Sequence, residues 1–320
     1  MTVTRGFPDG EFRNRLARAQ RLMEQAGLAA LLLTTEPEIR YFTGFLTRFW
    51  ESPTRPWFLV VPASGDPIAV IPSIGVHLMG QSWIRDIRTW VSPDYDDDGI
   101  SLVCDALGEV VPNQGQIGLP DGTETHARLP LASLEQIRSR LGARQLVGDH
   151  NILRQLRLIK SDAEIAKISQ ACDIAGRAFD RVGEIAHIGV PLAEVFRRFQ
   201  MLCLSEGADW MAYLAGGAGP DGYEDVISPA DDRPLERGDV LMLDTGVVFD
   251  GYYCDFDRNF ALGAASDAAR ATFARLIEAT QAAFDVARPG LAASDLFHTW
   301  MTFCTRVRPQ ADLATGWGCS

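Results

Sequence analysis

Apolar residues in this chain fall first at helical spacing and then in short unbroken runs. Phe12, Leu16, Ala19, Leu22 and Met23 share one face of a helix expected over residues 12–26, and Gly27 follows where a C-terminal cap belongs. The run 29–34 reads as a buried strand. Runs 57–61 and 67–71 read as two further strands, joined across the turn-forming residues 63–66. A polar stretch, 92–99, then precedes a helix expected over 100–111, and 116–119 forms another short strand. Such alternation predicts an α/β domain.

Near Leu153 the pattern changes. Ser161 stands three residues before Glu164 at the head of an apolar helical run, which is a capping box: each side chain satisfies a free backbone N–H of the first turn. The helix it starts carries Ile165, Ile168, Ala171, Cys172, Ala175 and Phe179 as an apolar stripe, and Val195, Phe196, Phe199 and Leu202 repeat the arrangement over 192–207. Two domains are therefore expected, over residues 1–152 and 153–320. With 320 residues, 47% of them hydrophobic, the chain can fill two cores.

Charge removes some functions. A formal net charge of −12 disfavours DNA or RNA as a partner, because nucleic-acid binders neutralise phosphates with clustered Lys and Arg. No apolar run approaches the ~20 residues needed to cross a bilayer, and the first ten residues lack a signal-peptide core, so the expectation is a soluble cytoplasmic protein that uses no membrane. The six cysteines are scattered without a C-x-x-C pair, which predicts free thiols and no zinc knuckle. The acidic run Asp96, Asp97 and Asp98 reads as a solvated turn.

Candidate chemistry lies between Gly238 and Phe260. Two runs rich in Val, Phe and Tyr surround Asp250-Gly251, a favoured hairpin dipeptide because both of its positions take positive φ. Asp244 and Asp255 are expected on the paired strands. A carboxylate inside an apolar strand needs a counter-charge, a hydrogen-bond donor or a cation. Two of them on one hairpin make a metal the economical partner.

Three ordered motifs carry a resemblance. Arg157, Lys160, Ser161, Glu164 and Ile165 form the first, Gly238, Asp239, Asp244 and Gly246 the second, and Gly251, Tyr252, Asp255, Arg258 and Phe260 the third. In this order they resemble the creatinase, Xaa-Pro aminopeptidase and prolidase family, and Tyr41-Phe-Thr-Gly44 is similar to a segment of that family's N-terminal domain. The resemblance implies an α/β N-terminal creatinase-like domain plus an α+β pita-bread C-terminal domain, the latter incomplete. It also implies two divalent metal ions (Mn, Co or Zn) held by two aspartates, one histidine and two glutamates, a peptide or small-molecule substrate, and a homodimer. Asp244 and Asp255 match the two aspartates. Hard carboxylate oxygens suit such cations, which activate water for hydrolysis of an amide or related C–N bond.

The resemblance then thins. After Asp255 the family's histidine stands in a glycine-rich setting and is followed by two glutamates, whereas this chain offers Glu278 and His298 on expected helices. Residues 310–320 fall near where the glycine-rich histidine loop would begin, so a truncated or frame-shifted C-terminus is expected, with an impaired or inactive metal site. Peptidase relatives also carry a substrate-side histidine within the stretch matching 215–229, and here none occurs. The readings left open are a dinuclear Xaa-Pro dipeptidase or aminopeptidase, a creatinase-type or ectoine-hydrolase-type enzyme, and a non-catalytic pita-bread module that binds a peptide or partner.

Overall fold

The computed structural model describes residues 3–305 except Pro53 and Asp221. The segment 310–320, and with it Cys319, one of the six cysteines, lies outside the described residues. The chain divides into two compact units, Met1–Lys167 and Ile168–Ser320.

In the first unit, α1 (Asp9–Ala26) begins after Pro8, with Asp9 and Glu11 in its first turn to suit the helix dipole, and ends at Gly27 with φ 71°. Strand β1 (Leu28–Leu33) follows, then α2 (Glu36–Thr43), β2 (Phe58–Pro62), β3 (Ile68–Pro72), the short α3 (Val76–Met79) and β4 (Asp86–Trp90). Next come α4 (Ile100–Val110), β5 (Gln116–Leu119), α5 (Leu131–Arg140), β6 (Gln145–Gly148), α6 (Ile152–Leu158) and the start of α7 (Asp162–Asp180). The strands form one mixed six-stranded sheet in the order β4-β3-β2-β1-β5-β6. Alternate residues of β1 and β2 feed two cores. Leu31, Leu33, Leu59 and Val61 pack with Phe12, Leu16, Met23 and Phe42 of α1 and α2 on one face. Ala30, Leu32, Phe58 and Val60 pack with Val103 and Leu107 of α4 on the other. Burial on both faces explains why these strands read as unbroken apolar runs.

Several polar and aromatic residues of this unit have architectural roles. Tyr41, Phe42, Thr43 and Gly44 close α2: Phe42 is buried, the Thr43 hydroxyl donates to Ile39, and Gly44 adopts φ 76° where a Cβ would fall 2.8 Å from the Phe12 ring. Trp50 and Trp57 are buried around Phe45. Asp97 accepts from the Ser101 N–H and hydroxyl and pairs with Arg140, capping α4.

The second unit contains the rest of α7, α8 (Leu192–Ser205), β7 (Trp210–Gly219), β8 (Val240–Phe249), β9 (Tyr252–Tyr253), β10 (Phe256–Ala261), α9 (Asp267–Val286) and α10 (Ala293–Thr305). Strand β8 lies between β7 and β10, antiparallel to both, and its end pairs with β9. Phe179 of α7 lies against Phe199 of α8 and against Phe256 and Phe260 of β10, so α7 and α8 cover the face that carries these rings. Helices α9 and α10 pack on each other. The five described cysteines are free, and burial pushes the Cys203 thiol up to about 12.

The hairpin joining β8 to β9 is the two-residue turn that its sequence predicts, with φ 49° at Asp250 and 76° at Gly251. A β-branched residue resists positive φ. Gly251→Val is therefore expected to lower unfolding free energy by about 1–2 kcal/mol, measured by urea denaturation.

Candidate metal centre

Register across β7, β8 and β10 places the chemistry. Ala215 on β7 and Asp257 on β10 flank Asp244 of β8, while Tyr213 pairs with Gly246 in the next row. Asp255 lies not within a strand, as the sequence suggests, but in the two-residue link between β9 and β10. The pairing is continuous through that link, with Tyr253 opposite Val248, the Cys254 N–H donating to Val247, and Phe256 opposite Thr245. Asp255 is thus in line with Gly246, and the residue directly across from Asp244 is Asp257. Because side chains alternate along a strand, Tyr213, Asp244, Asp255 and Asp257 share the face turned away from Phe256 and Phe260.

The two predicted aspartates come together there. The Tyr213 hydroxyl donates toward Asp244 Oδ1 at 3.2 Å, and it also forms a short hydrogen bond to Asp255 Oδ1. Gly246 makes this reach possible, since a Cβ at that position would fall 2.4 Å from Tyr213 Cε1. The Tyr213 ring crosses the bare backbone of β8. Partial burial, together with the charges of Asp255 and Asp257, raises the Asp244 carboxyl above the ordinary carboxylate range, and the Tyr213 hydrogen bond opposes this. The Tyr213 phenol is itself pushed up, by burial and by the two carboxylates that hold its proton.

Other motif residues frame the sheet. Asp239 is buried and accepts both arms of Arg233 at 2.9 and 3.0 Å, with the Glu236 N–H at 2.8 Å. Burial favours its neutral form, but the Arg233 and Glu236 hydrogen bonds outweigh that and hold Asp239 below the usual range. It fixes the entry to β8. Arg258 lies over the Phe256 ring at 5.0 Å and donates to the Asp257 carbonyl, so the structure gives it a packing role. Asp225 accepts the N–H groups of Ile227 and Ser228 and builds a turn. Glu278 and His298 stand exposed on α9 and α10.

Two tyrosines escaped the sequence reading. Tyr213 belongs to β7, a strand absent from the elements that the sequence pattern predicts. Tyr223 bonds Asn259, beside Asp257. The β7 glycines have a packing reason: a Cβ on Gly217 would fall 2.7 Å from the Asp225 carbonyl oxygen, and one on Gly219 would fall 2.3 Å from that of Gly222. The loop crosses this strand at backbone distance.

Sequence profiles of two families match the chain. The Creatinase/Prolidase N-terminal domain covers residues 15–159, and Metallopeptidase family M24 covers residues 166–319. The chain belongs to metallopeptidase family M24. Within it, the creatinase/Xaa-Pro dipeptidase branch supplies this M24 chain's similar proteins. The probable dipeptidase PepE of Mycobacterium tuberculosis is 28% identical over 295 residues, which is 92% of this chain and 75% of that protein. The Xaa-Pro dipeptidase of Pyrococcus furiosus is 27% identical over 198 residues, 60% of this chain and 53% of that one. The crystal structure of dipeptidase PepE from Mycobacterium ulcerans superposes with a TM-score of 0.75 at 29% identity, covering 93% of this chain and 77% of that one. Prolidase from Thermococcus sibiricus gives a TM-score of 0.79 at 19% identity, covering 93% and 78%, and shares the fold. The M24 chain therefore has the creatinase N-terminal domain and the pita-bread domain. Its family is metal-dependent, and among the described residues no helix is long and apolar enough to cross a membrane.

The donor set fits a divalent cation in part. Two hard carboxylates converge on one point, as Mn²⁺-like ions require. Among the described residues, no group of three or more His, Cys, Asp or Glu is arranged to hold a metal.

Proposed function

We propose that this M24 chain is a metal-dependent hydrolase of short peptides, of the Xaa-Pro dipeptidase or aminopeptidase type, with Asp244 and Asp255 as two of its cation ligands. The observation that carries the reading is the convergence of both carboxylates on the Tyr213 hydroxyl, on the sheet face opposite the Phe256 and Phe260 rings. The similarity to a probable dipeptidase and an Xaa-Pro dipeptidase supports the substrate class. Divalent cations such as Mn, Co or Zn, expected as a pair, would activate water and polarise the scissile carbonyl when bound.

The chain's own residues do the positioning. Asp244 is anchored on the central strand, paired on both sides, so its carboxylate has little freedom. Asp255 is held across from Gly246 by the hairpin at Asp250-Gly251. The Arg233–Asp239 pair fixes the start of the same strand. The histidine and two glutamates that complete the ligand set in the family have no counterpart among the described residues, so the 320-residue polypeptide on its own is expected to hold cations weakly and to turn over slowly.

Elemental analysis of the 320-residue chain, combined with Mn²⁺-supplemented hydrolysis of Xaa-Pro dipeptides, tests both parts. Substoichiometric metal and slow, Mn²⁺-dependent cleavage that Asp255→Asn removes is the expected result. Tightly held stoichiometric metal with rapid turnover would overturn the impaired-site reading. Cleavage indifferent to Mn²⁺ and to Asp255→Asn would overturn the assignment of the ligands.

A further inference from the structure

Tyr213 of β7, Gly246 of β8 and Asp255 of the β9–β10 link lie in one row, and Asp244 is one row away on the same face. With no Cβ on Gly246, the ring spans the middle strand and brings one hydroxyl to Asp244 Oδ1 and Asp255 Oδ1. One proton therefore lies between two carboxylates of like charge. Hydrogen bonds to ionised acceptors are the strong ones, and this one also offsets the repulsion between its acceptors. A cation bridging these carboxylates needs the same oxygen lone pairs.

We propose that the Tyr213 hydroxyl is an internal competitor for divalent cations, closing the Asp244–Asp255 pair in the metal-free chain and withdrawing when a cation enters. The inference rests on the reading of those two aspartates as ligands. Tyr213 is 40% exposed, so its ring has room to leave the carboxylates without opening the core. Asp257, across the sheet from Asp244, adds negative charge to the face and favours whichever positive group enters, proton donor or cation. Tyrosine in this row thus acts on affinity: it stabilises the metal-free state and leaves the metal-bound state unaided. Phenylalanine keeps the ring over Gly246 and removes the hydroxyl alone.

The test is Mn²⁺ binding by isothermal titration calorimetry on the whole 320-residue chain and its Tyr213→Phe and Asp244→Asn variants, with near-UV difference spectra recorded during the titrations. Tyr213→Phe is expected to bind about tenfold more tightly, the size of one charge-assisted hydrogen bond. The parent chain is expected to show a tyrosine difference signal on metal addition that the Tyr213→Phe variant lacks. Equal or weaker binding by Tyr213→Phe, with binding still lost in Asp244→Asn, would overturn the competitor while leaving the ligands in place. Equal binding by the parent and Asp244→Asn, or no binding by any of the three, would overturn the ligand reading and the competitor with it.

Discussion

Asp244→Asn is expected to remove the stabilisation that Mn²⁺ gives the chain while leaving the metal-free fold at least as stable as the parent. The two effects have opposite signs because one carboxylate is responsible for both. Asp244 is half-buried on the central strand, with Asp257 directly across the ladder and Asp255 within reach of the same phenol. Burial first, and then the like charges of Asp255 and Asp257, disfavour an ionised Asp244 when no cation is bound, and together they raise its carboxyl above the ordinary range. Asparagine has the same shape, removes that repulsion, and can donate an amide proton to a neighbouring carboxylate. A cation loses an anionic ligand in the exchange. Outer-sphere partners of metal ligands already cost roughly 10–100-fold in affinity when removed, so loss of a direct ligand is expected to cost about a hundredfold or more. The measurement is the rise in Tm on Mn²⁺ addition, which follows affinity by mass action. Asp244→Asn and Asp255→Asn should abolish the rise, and Asp257→Asn should reduce it less. An undiminished rise in Asp244→Asn would show that the cation binds elsewhere.

The first unit was more legible in sequence than the second, for a physical reason. Strands β1, β2 and β3 are buried on both faces, so their apolar runs announce them without tertiary information, and Gly27 marks a helix end through its backbone alone. The capping box at Ser161 and Glu164 and the hairpin at Asp250-Gly251 are equally local, and both form as their residues dictate. Strand β7 is different. Gly216, Gly217 and Gly219 suggest a loop, yet they lie in a ladder because neighbouring backbone comes too close for any side chain, a constraint visible only once the fold is assembled. With β7 hidden, Tyr213 could not be placed opposite Gly246, and the group that joins Asp244 to Asp255 went unseen. Asp255 shows a finer version of the same limit. The sequence pattern puts it on a strand paired with that of Asp244, whereas it lies in the β9–β10 link and the cross-strand partner of Asp244 is Asp257.

Arg15→Ala is the substitution expected to cost the most stability, about 3–5 kcal/mol, because it removes one member of a buried charged group. The Arg15 side chain is 3% exposed and that of Glu164 is 6% exposed, with 3.3 Å between their charged atoms. Arg15 also reaches Glu11 at 3.1 Å and donates to the Tyr41 carbonyl at 2.9 Å, and its guanidinium lies 4.6 Å from the Phe7 ring and 4.4 Å from that of Tyr41. Glu164 completes the capping box of α7, and Ser161 of that box donates to Glu11, so helix start and ion pair are one network. Alanine would leave Glu164 charged in a buried place without its guanidinium. Lysine would keep the charge but lose the planar fork that serves several acceptors and stacks on rings, and should recover only part of the loss. An apolar pair behaves differently, since buried ion pairs are often matched by hydrophobic residues of similar volume. Arg15→Met with Glu164→Leu should therefore be more stable than Arg15→Ala alone, a non-additivity that a double-mutant cycle by urea denaturation would measure. A loss below about 1 kcal/mol for Arg15→Ala would place this pair with exposed ion pairs and refute its role as the buried anchor between α1 and the start of α7.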